Sequence, residues 1–78
     1  MKFHYYPETD SLYIDLSKKS SAESREISEG VVADYGEDGK IVGIDIDQAS
    51  EIVDLSCIEA ESLPVQNFAI SQAHTHSM

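Results

Sequence analysis

Hydrophobic and polar side chains alternate through much of residues 2–46, which is the pattern of strands with one buried face. Residues 2–6 and residues 12–16 predict two strands of this kind. The sequence PETD between them is turn chemistry, because proline presets its own φ angle and aspartate bonds to nearby backbone. Two strands joined by so short a turn predict a β-hairpin.

The two faces of the second predicted strand differ in character. Leu12, Ile14 and Leu16 share one face, because residues two apart in a strand point the same way, and this face would join the core. Tyr13 and Asp15 share the other, wetter face. The tyrosines and carboxylates of this region could form a contact surface, but bracing of neighbouring strands is the interpretation that we favour.

Three further strands are predicted after a polar stretch. Residues 17–24 are interpreted as an exposed loop, and residues 25–28 as a weak strand. Residues 30–36 and 41–46 predict a second hairpin, with its turn at Asp38-Gly39. The glycine inside the last of these strands suggests close packing of another group or a local bulge.

The hydrophobic period changes after residue 46. Asp47 is a suitable N-cap for a helix, and Ser56 with Glu59 three residues later forms a capping box for a second one. Pro64 would end the helical region. Residues 48–62 are therefore either one kinked helix or two short helices, of which two are preferred. The predicted fold is α+β: an antiparallel β-meander of four to five short strands followed by these C-terminal helices.

The chain length of 78 residues predicts one domain, here residues 1–63, with residues 64–78 as a C-terminal extension or tail. The apolar residues of the extension could add a short strand or clip onto the core. His74 and His76 could ligate a transition metal if a third donor lay nearby, but a surface tail is the preferred interpretation.

The charge balance is strongly acidic, with 15 acidic residues against 5 basic ones and a net charge of −10. This argues against binding to nucleic acid or to anionic lipid, both of which need a basic surface. It fits a solvated surface or a basic protein partner. The single cysteine offers no disulfide within one chain, and neither a signal peptide nor a membrane span is recognisable, so we expect a cytoplasmic protein.

The candidate chemistry lies in the carboxylates. Asp34, Asp45 and Asp47 could act as general acids and bases or hold a hard cation such as calcium or magnesium, but solvated acids in and near turns are the preferred interpretation. No nucleophile elbow or glycine-rich phosphate loop is present, and we predict no cofactor. The candidate residues for a binding face are Tyr6, Tyr13, Asp15, Asp34, Asp45 and Asp47.

Three segments together resemble a family of small, mostly bacterial proteins known as domain of unknown function 2283. They are YYPETDSLYIDL at residues 5–16, GVVAD at residues 30–34 and DGKIVGIDIDQAS at residues 38–50, and the resemblance covers about residues 3–53. Asp45 stands where the family usually has glutamate. The resemblance implies a β-meander with a packed helix and assigns no catalytic residues. Some relatives are encoded beside small toxin-like proteins, which implies a conceivable antitoxin role, although the DNA-binding arm of many antitoxins is absent.

Three hypotheses for function follow. The first is a protein-binding or regulatory module, antitoxin-like in one version, whose partner is a second copy of the chain or a small basic protein. The second is a metal-dependent enzyme that uses the clustered carboxylates. The third is a structural domain that self-associates through its strand edges.

Overall fold

Five strands form one antiparallel sheet in the computed structural model, which describes residues 1–71. One short helix follows the last strand. The elements are β1 (Lys2–Tyr6), β2 (Ser11–Asp15), β3 (Glu23–Ser28), β4 (Val31–Tyr35), β5 (Ile41–Ile46) and α1 (Ala49–Ile52). The antiparallel sheet and the two predicted hairpins are thereby confirmed.

The strand order across the sheet is β1-β2-β5-β4-β3. The first hairpin and the β3–β4–β5 meander therefore join through β2 and β5, and residues 16–22 carry the chain to the far edge. This junction places Leu12 opposite Ile46 and Ile14 opposite Ile44. Apolar pairs of this kind stabilise neighbouring strands, which favours this order.

Strand β3 begins two residues earlier than the alternation predicted. Ser24 pairs with Asp34 and Arg25 pairs with Ala33, so the end of the expected loop is part of the sheet. All six residues of β3 are exposed, as suits an edge strand rich in polar side chains. Because a polar edge strand lacks the hydrophobic alternation on which the prediction relied, its start was placed too late.

The buried core is small. Its side chains are Leu12, Ala33, Val42, Ile46 and Ala49. Leu12 is 8% exposed, whereas Ile14 and Leu16, which we expected beside it in the core, are only half-buried. Burying one large aliphatic side chain stabilises a fold by about 1.5–3 kcal/mol, so this core supplies little margin.

The helix α1 is a single turn, and the predicted N-cap Asp47 does not cap it. Gln48 occupies the N-cap position with φ 49° and makes no side-chain cap hydrogen bond. The carboxylate of Asp10, from the turn between β1 and β2, takes this role. It accepts hydrogen bonds from the Ser50 backbone N–H at 3.2 Å and from the Ser50 hydroxyl at 2.6 Å.

The second predicted helix does not form. Ser56 was expected to begin it, but its backbone N–H and its hydroxyl both donate to Asp54 Oδ1, at 2.9 and 2.6 Å. This local turn satisfies the groups that a helix start would have used. Between residue 53 and residue 71 the chain contains neither helix nor strand.

The described part of the C-terminal extension adds no strand to the sheet. Val65, Phe68 and Ile70 are 52%, 73% and 77% exposed. His74 and His76 lie outside the described residues. Within residues 1–71, no helix has the length and apolar character that crossing a membrane requires.

Candidate binding face

The sheet register brings the predicted site residues to one face. Tyr13 pairs with Asp45, and Asp15 pairs with Gly43, which in turn pairs with Asp34. Directly paired residues share a face, so these side chains project from the same side of the sheet. Tyr6 shares that side at the edge strand, and Asp47 follows Asp45 just after β5 ends. We call this surface, made of Tyr6, Tyr13, Asp15, Asp34, Asp45 and Asp47, the acidic face.

The ring of Tyr13 lies directly over Gly43. A Cβ atom added at Gly43 would overlap the Tyr13 hydroxyl and lie 2.7 Å from its Cζ. The glycine is therefore required by the tyrosine, which confirms the close packing expected of a glycine inside a strand. A shift in the β4–β5 register occurs between Asp34 and Tyr35, so a local irregularity accompanies it.

Asp34 connects three strands on this face. The Tyr13 hydroxyl donates to Asp34 Oδ2 at 3.0 Å, and the Ser24 hydroxyl donates to Oδ1 at 2.6 Å. Both carboxylate oxygens are thus held by neutral donors from β2 and β3. These hydrogen bonds fix the Tyr13 ring in place and occupy both oxygens of the Asp34 carboxylate.

Burial and the neighbouring carboxylates raise the pKa of Tyr13 above its ordinary value. Burial of the phenol is the largest cause, followed by the hydrogen bond to Asp34 and by the charges of Asp34, Asp15 and Asp45. All of these effects disfavour the phenolate. Tyr13 therefore remains a neutral hydrogen-bond donor in a negatively charged setting.

Asp45 is an exposed acid beside other acids. Its pKa is raised by partial burial first, and then by the charges of Asp47 and Asp34. The two ion pairs within residues 1–71 are Lys19–Asp38 and Arg25–Glu23, and neither reaches this face. Lys2 pairs with Asp15 in the register and lies on the same side of the sheet, but the carboxylates of the acidic face form no ion pair within residues 1–71.

Aromatic rings border the carboxylates on the side of β1. His4 pairs with Tyr13 in the register, and its ring lies 4.4 Å from the ring of Tyr6. Sequence reasoning left out His4 and Ser24 as members of this face. The alternation that groups His4 with Tyr6 was a usable signal, whereas Ser24 was assigned to the loop before β3.

A cation site is not assembled on the described part of the chain. In residues 1–71, no group of three or more histidine, cysteine, aspartate or glutamate side chains is arranged to hold a metal ion. What the acidic face offers chemically is a set of hydrogen-bond acceptors and aromatic surfaces on a regular sheet.

Comparison with known proteins gives one match. Residues 2–50 match the family model described as Protein of unknown function (DUF2283). The match spans the whole sheet and ends at Ser50, the partner of Asp10 at the start of α1. Neither a curated protein nor a solved structure matches the chain.

Proposed function

The chain belongs to the DUF2283 family, whose function is unknown, and we propose that it is a protein-binding module whose acidic face binds a basic segment of another protein. The observation that carries the proposal is the group of Asp15, Asp45 and Asp47 on the side of the sheet where the Tyr13 ring is anchored. None of these three carboxylates forms an ion pair within residues 1–71. A folded sheet holds these groups in place before the partner arrives, which lowers the entropy lost on binding.

Lysine and arginine side chains fit this surface in two ways. Their charged groups pair with the carboxylates, and an arginine guanidinium also stacks on exposed aromatic rings such as that of Tyr6, which is 46% exposed. The net charge of −10 adds a long-range attraction that speeds encounter with a basic protein.

An antitoxin is the specific version of this proposal that the family resemblance suggests. The partner would be a small basic toxin, and residues 64–78 would add contacts around it. A chain that ends at residue 63 should then lose partner affinity while it keeps the far-UV circular dichroism of the sheet. Unchanged affinity would remove the extension from the binding mechanism.

The proposal is tested by capture of partners from the host's lysate with the tagged full-length chain. The Asp45→Asn/Asp47→Asn variant removes two charges from the acidic face. The Glu59→Gln/Glu61→Gln variant removes the same charge from the exposed segment that follows the sheet. We expect wild type and the second variant to retain a stoichiometric basic protein, and the first variant to bind it at least ~10-fold more weakly, the effect of losing about 1.4 kcal/mol.

The salt dependence of the same complex provides a further check. Binding through exposed charges weakens as salt increases, because the Debye length falls from about 10 Å at 0.1 M to about 3 Å at 1 M. Equal loss of affinity in both double variants, or a captured partner without basic character, would contradict the proposed role of the acidic face.

A further inference from the structure

The two outer strands of the sheet differ in how open their edges are. β1 and β3 lie at the ends of the strand order, and within residues 1–71 no further strand lies beyond either of them. The β3 ladder has a register irregularity between Glu26 and Ser28, and the strand carries two glutamates and an arginine. Bulges and charged side chains hinder further pairing at an edge. The β1 ladder is regular, and its strand carries one charged side chain at pH 7, Lys2.

The backbone groups that β1 leaves unpaired belong to Phe3 and Tyr5. The Leu16 N–H donates to the Val42 carbonyl of β5 at 2.9 Å. Because backbone direction alternates along a strand, this bond fixes which residues of β2 bond to β5 and which bond to β1. Those that bond to β1 are Ser11, Tyr13 and Asp15, and their partners in the register are Tyr6, His4 and Lys2. The N–H and carbonyl groups of Phe3 and Tyr5, which alternate with these partners, therefore point away from the sheet.

One register lets two copies of this edge satisfy each other. In an antiparallel pair with a two-fold axis at His4, Phe3 of each copy lies opposite Tyr5 of the other. Both are then hydrogen-bonded pairs, so the outward N–H and carbonyl groups of both residues all find a partner. A register shifted towards the turn would place Phe3 opposite Pro7, which has no N–H to donate. The edge of β1 is thus complementary to itself.

The side chains on the core side of this edge support the same pairing. Phe3 pairs with Ile14 and Tyr5 pairs with Leu12 in the β1–β2 ladder, so both rings lie on the side of the sheet that holds Leu12. The two aromatic residues are 51% and 41% exposed. In the two-fold register the Phe3 ring of one copy lies beside the Tyr5 ring of the other, and this happens twice. Aromatic cross-strand pairs of this kind stabilise antiparallel strands.

Charge permits two copies to meet at this edge. Among the five described strands, β1 is the one without a carboxylate. In the two-fold register each Lys2 lies opposite Tyr6 of the other copy, beside the turn that carries the exposed Glu8. The two lysines are displaced along the strands by about 14 Å, at 3.4 Å per residue, which exceeds the Debye length of about 10 Å at 0.1 M salt. The pairing therefore brings no like charges close together and places a lysine near a glutamate at both ends.

We propose that the chain forms a homodimer in which β1 pairs antiparallel with β1 of a second copy, with the two-fold axis at His4. The contact is isologous, because each copy contributes the same strand. It joins the two sheets into one and leaves β3 as the edge at both ends. Directly paired residues share a side of a sheet, so the two acidic faces lie on the same side of the joined sheet. The dimer thus presents a doubled acidic surface, although it forms without a basic partner.

Hydrogen exchange of the full chain shows which edge is paired. The Ala22 N–H donates to the Tyr35 carbonyl, so the same alternation makes the Ser24 N–H point outward from β3. In a monomer the amides of Phe3, Tyr5 and Ser24 are all open to solvent. We expect exchange of the Phe3 and Tyr5 amides to slow by ~10-fold or more between low and high micromolar concentration. The Ser24 amide should not change, and sedimentation equilibrium should show a dimer over the same range.

Two substitutions at one position separate the backbone contribution from that of the ring. Phe3→Pro and Phe3→Ala both remove the aromatic side chain, but only proline also removes the outward N–H. Because this N–H points away from β2, proline is compatible with the β1–β2 ladder, and thermal melts at low concentration check that the fold is kept. The two-fold axis removes one hydrogen bond from each copy. We expect Phe3→Pro to dimerise at least ~10-fold more weakly than Phe3→Ala.

Three results would overturn the proposal. A wild-type chain that stays monomeric at high micromolar concentration would leave the β1 edge open for a strand of another protein. A dimer whose Phe3 and Tyr5 amides exchange as fast as in the monomer would pair through another surface. Equal dimerisation of Phe3→Pro and Phe3→Ala would show that the backbone of β1 takes no part. Since none of these readouts involves a basic partner, they are independent of the proposed function.

Discussion

The ring of Tyr13 lies against Gly43 of the neighbouring strand on the acidic face. The tyrosine ring occupies the space that any Cβ at position 43 would take, and its hydroxyl is anchored on Asp34. Neither residue can be changed without affecting the other. The position of the phenol on the face therefore depends on the absence of a side chain on the neighbouring strand.

We expect Gly43→Ala to destabilise the protein by about 1–3 kcal/mol, because the added methyl group forces the ring or the strand to move. In a Tyr13→Ala background the same change should have little effect or stabilise slightly, since alanine restricts the unfolded chain more than glycine does. Urea denaturation of the four proteins of this cycle measures the coupling. An equal decrease in the free energy of unfolding in both backgrounds would show that the glycine is needed for the backbone conformation and not for the Tyr13 ring.

Asp10 joins two elements that are far apart in the sequence. Its carboxylate accepts a hydrogen bond from the Tyr5 hydroxyl of β1 at 2.7 Å. It also accepts hydrogen bonds from the backbone N–H and the hydroxyl of Ser50 in α1. Its backbone carbonyl also accepts the Ala49 N–H at 2.7 Å. These bonds tie the first hairpin to the start of the helix and hold the helical turn over the core.

The pKa of Asp10 is lowered, first by the Ser50 hydroxyl and then by the Tyr5 hydroxyl. Because its folded pKa lies below the ordinary value of 3.8, the carboxylate stabilises the fold above that pH, and this stabilisation is lost as the pH falls through the folded pKa. Asp10→Asn should lower the melting temperature at pH 7 by about 4–8 °C, because one of the two oxygens that accept from Tyr5 and Ser50 becomes an NH2 group that cannot accept a hydrogen bond. The difference from wild type should shrink as the pH falls below 3.8 and through the folded pKa.

Asp54→Asn is the matched control for this prediction. It removes one negative charge and one carboxylate that binds a serine, but that serine lies in the exposed segment after α1. Asparagine also tolerates the left-handed backbone of Asp10, where φ is 53°. An equal effect of both substitutions, or a difference that does not shrink as the pH falls below 3.8, would argue against the role of the Asp10 carboxylate at the helix start.

The strands could be predicted because their signal is local. Alternation with period two is written into residues 2–6, 12–16 and 41–46, and each strand appears there within one residue. The helix start could not be predicted, because its cap is Asp10, 40 positions before Ser50 in the chain. A capping rule that considers only adjacent residues pointed to Asp47 instead.

The residues of the acidic face lie on one side of the sheet because of the strand register, which cannot be read from the sequence. Alternation predicted that Tyr13 and Asp15 share a face and that Asp45 and Ile44 point to different faces. The pairing of β2 with β5 was needed to bring Tyr13 and Asp15 to the same side as Asp45. The bond from Ser24 to Asp34 depends on the polar edge strand that the pattern missed. The residues of one strand that share a face were thus predictable, whereas the contacts between strands were not.

At the scale of the whole molecule, the two faces of one sheet separate charge from apolar area. Carboxylates gather on one face, where they form no ion pair within residues 1–71, and the chain carries a net charge of −10. Such a distribution favours binding of a cationic partner but opposes folding through repulsion between like charges. Stability and function are therefore expected to change in opposite directions when charge is removed from the acidic face.

Asp45→Asn tests this opposition. The pKa of Asp45 is raised by burial, then by Asp47 and Asp34, so ionisation of this group destabilises the folded state. That penalty is absent below the ordinary pKa of 3.8 and is complete once the pH exceeds the folded pKa. We expect the variant to be more stable than wild type at pH 7, by less than about 0.5 kcal/mol because the side chain is exposed, and equal to it at about pH 3.

Thermal melts at fixed protein concentration, at pH 7 and about pH 3, measure the effect without interference from association. Glu59→Gln removes the same charge from the segment after the sheet, so it separates local repulsion from net charge. The gain of Asp45→Asn should shrink at 1 M salt, where charges more than about 3 Å apart are screened. A variant less stable than wild type at pH 7 would mean that Asp45 is held by an attractive contact, and the acidic face would then be a structural network rather than a surface kept free for a cationic partner.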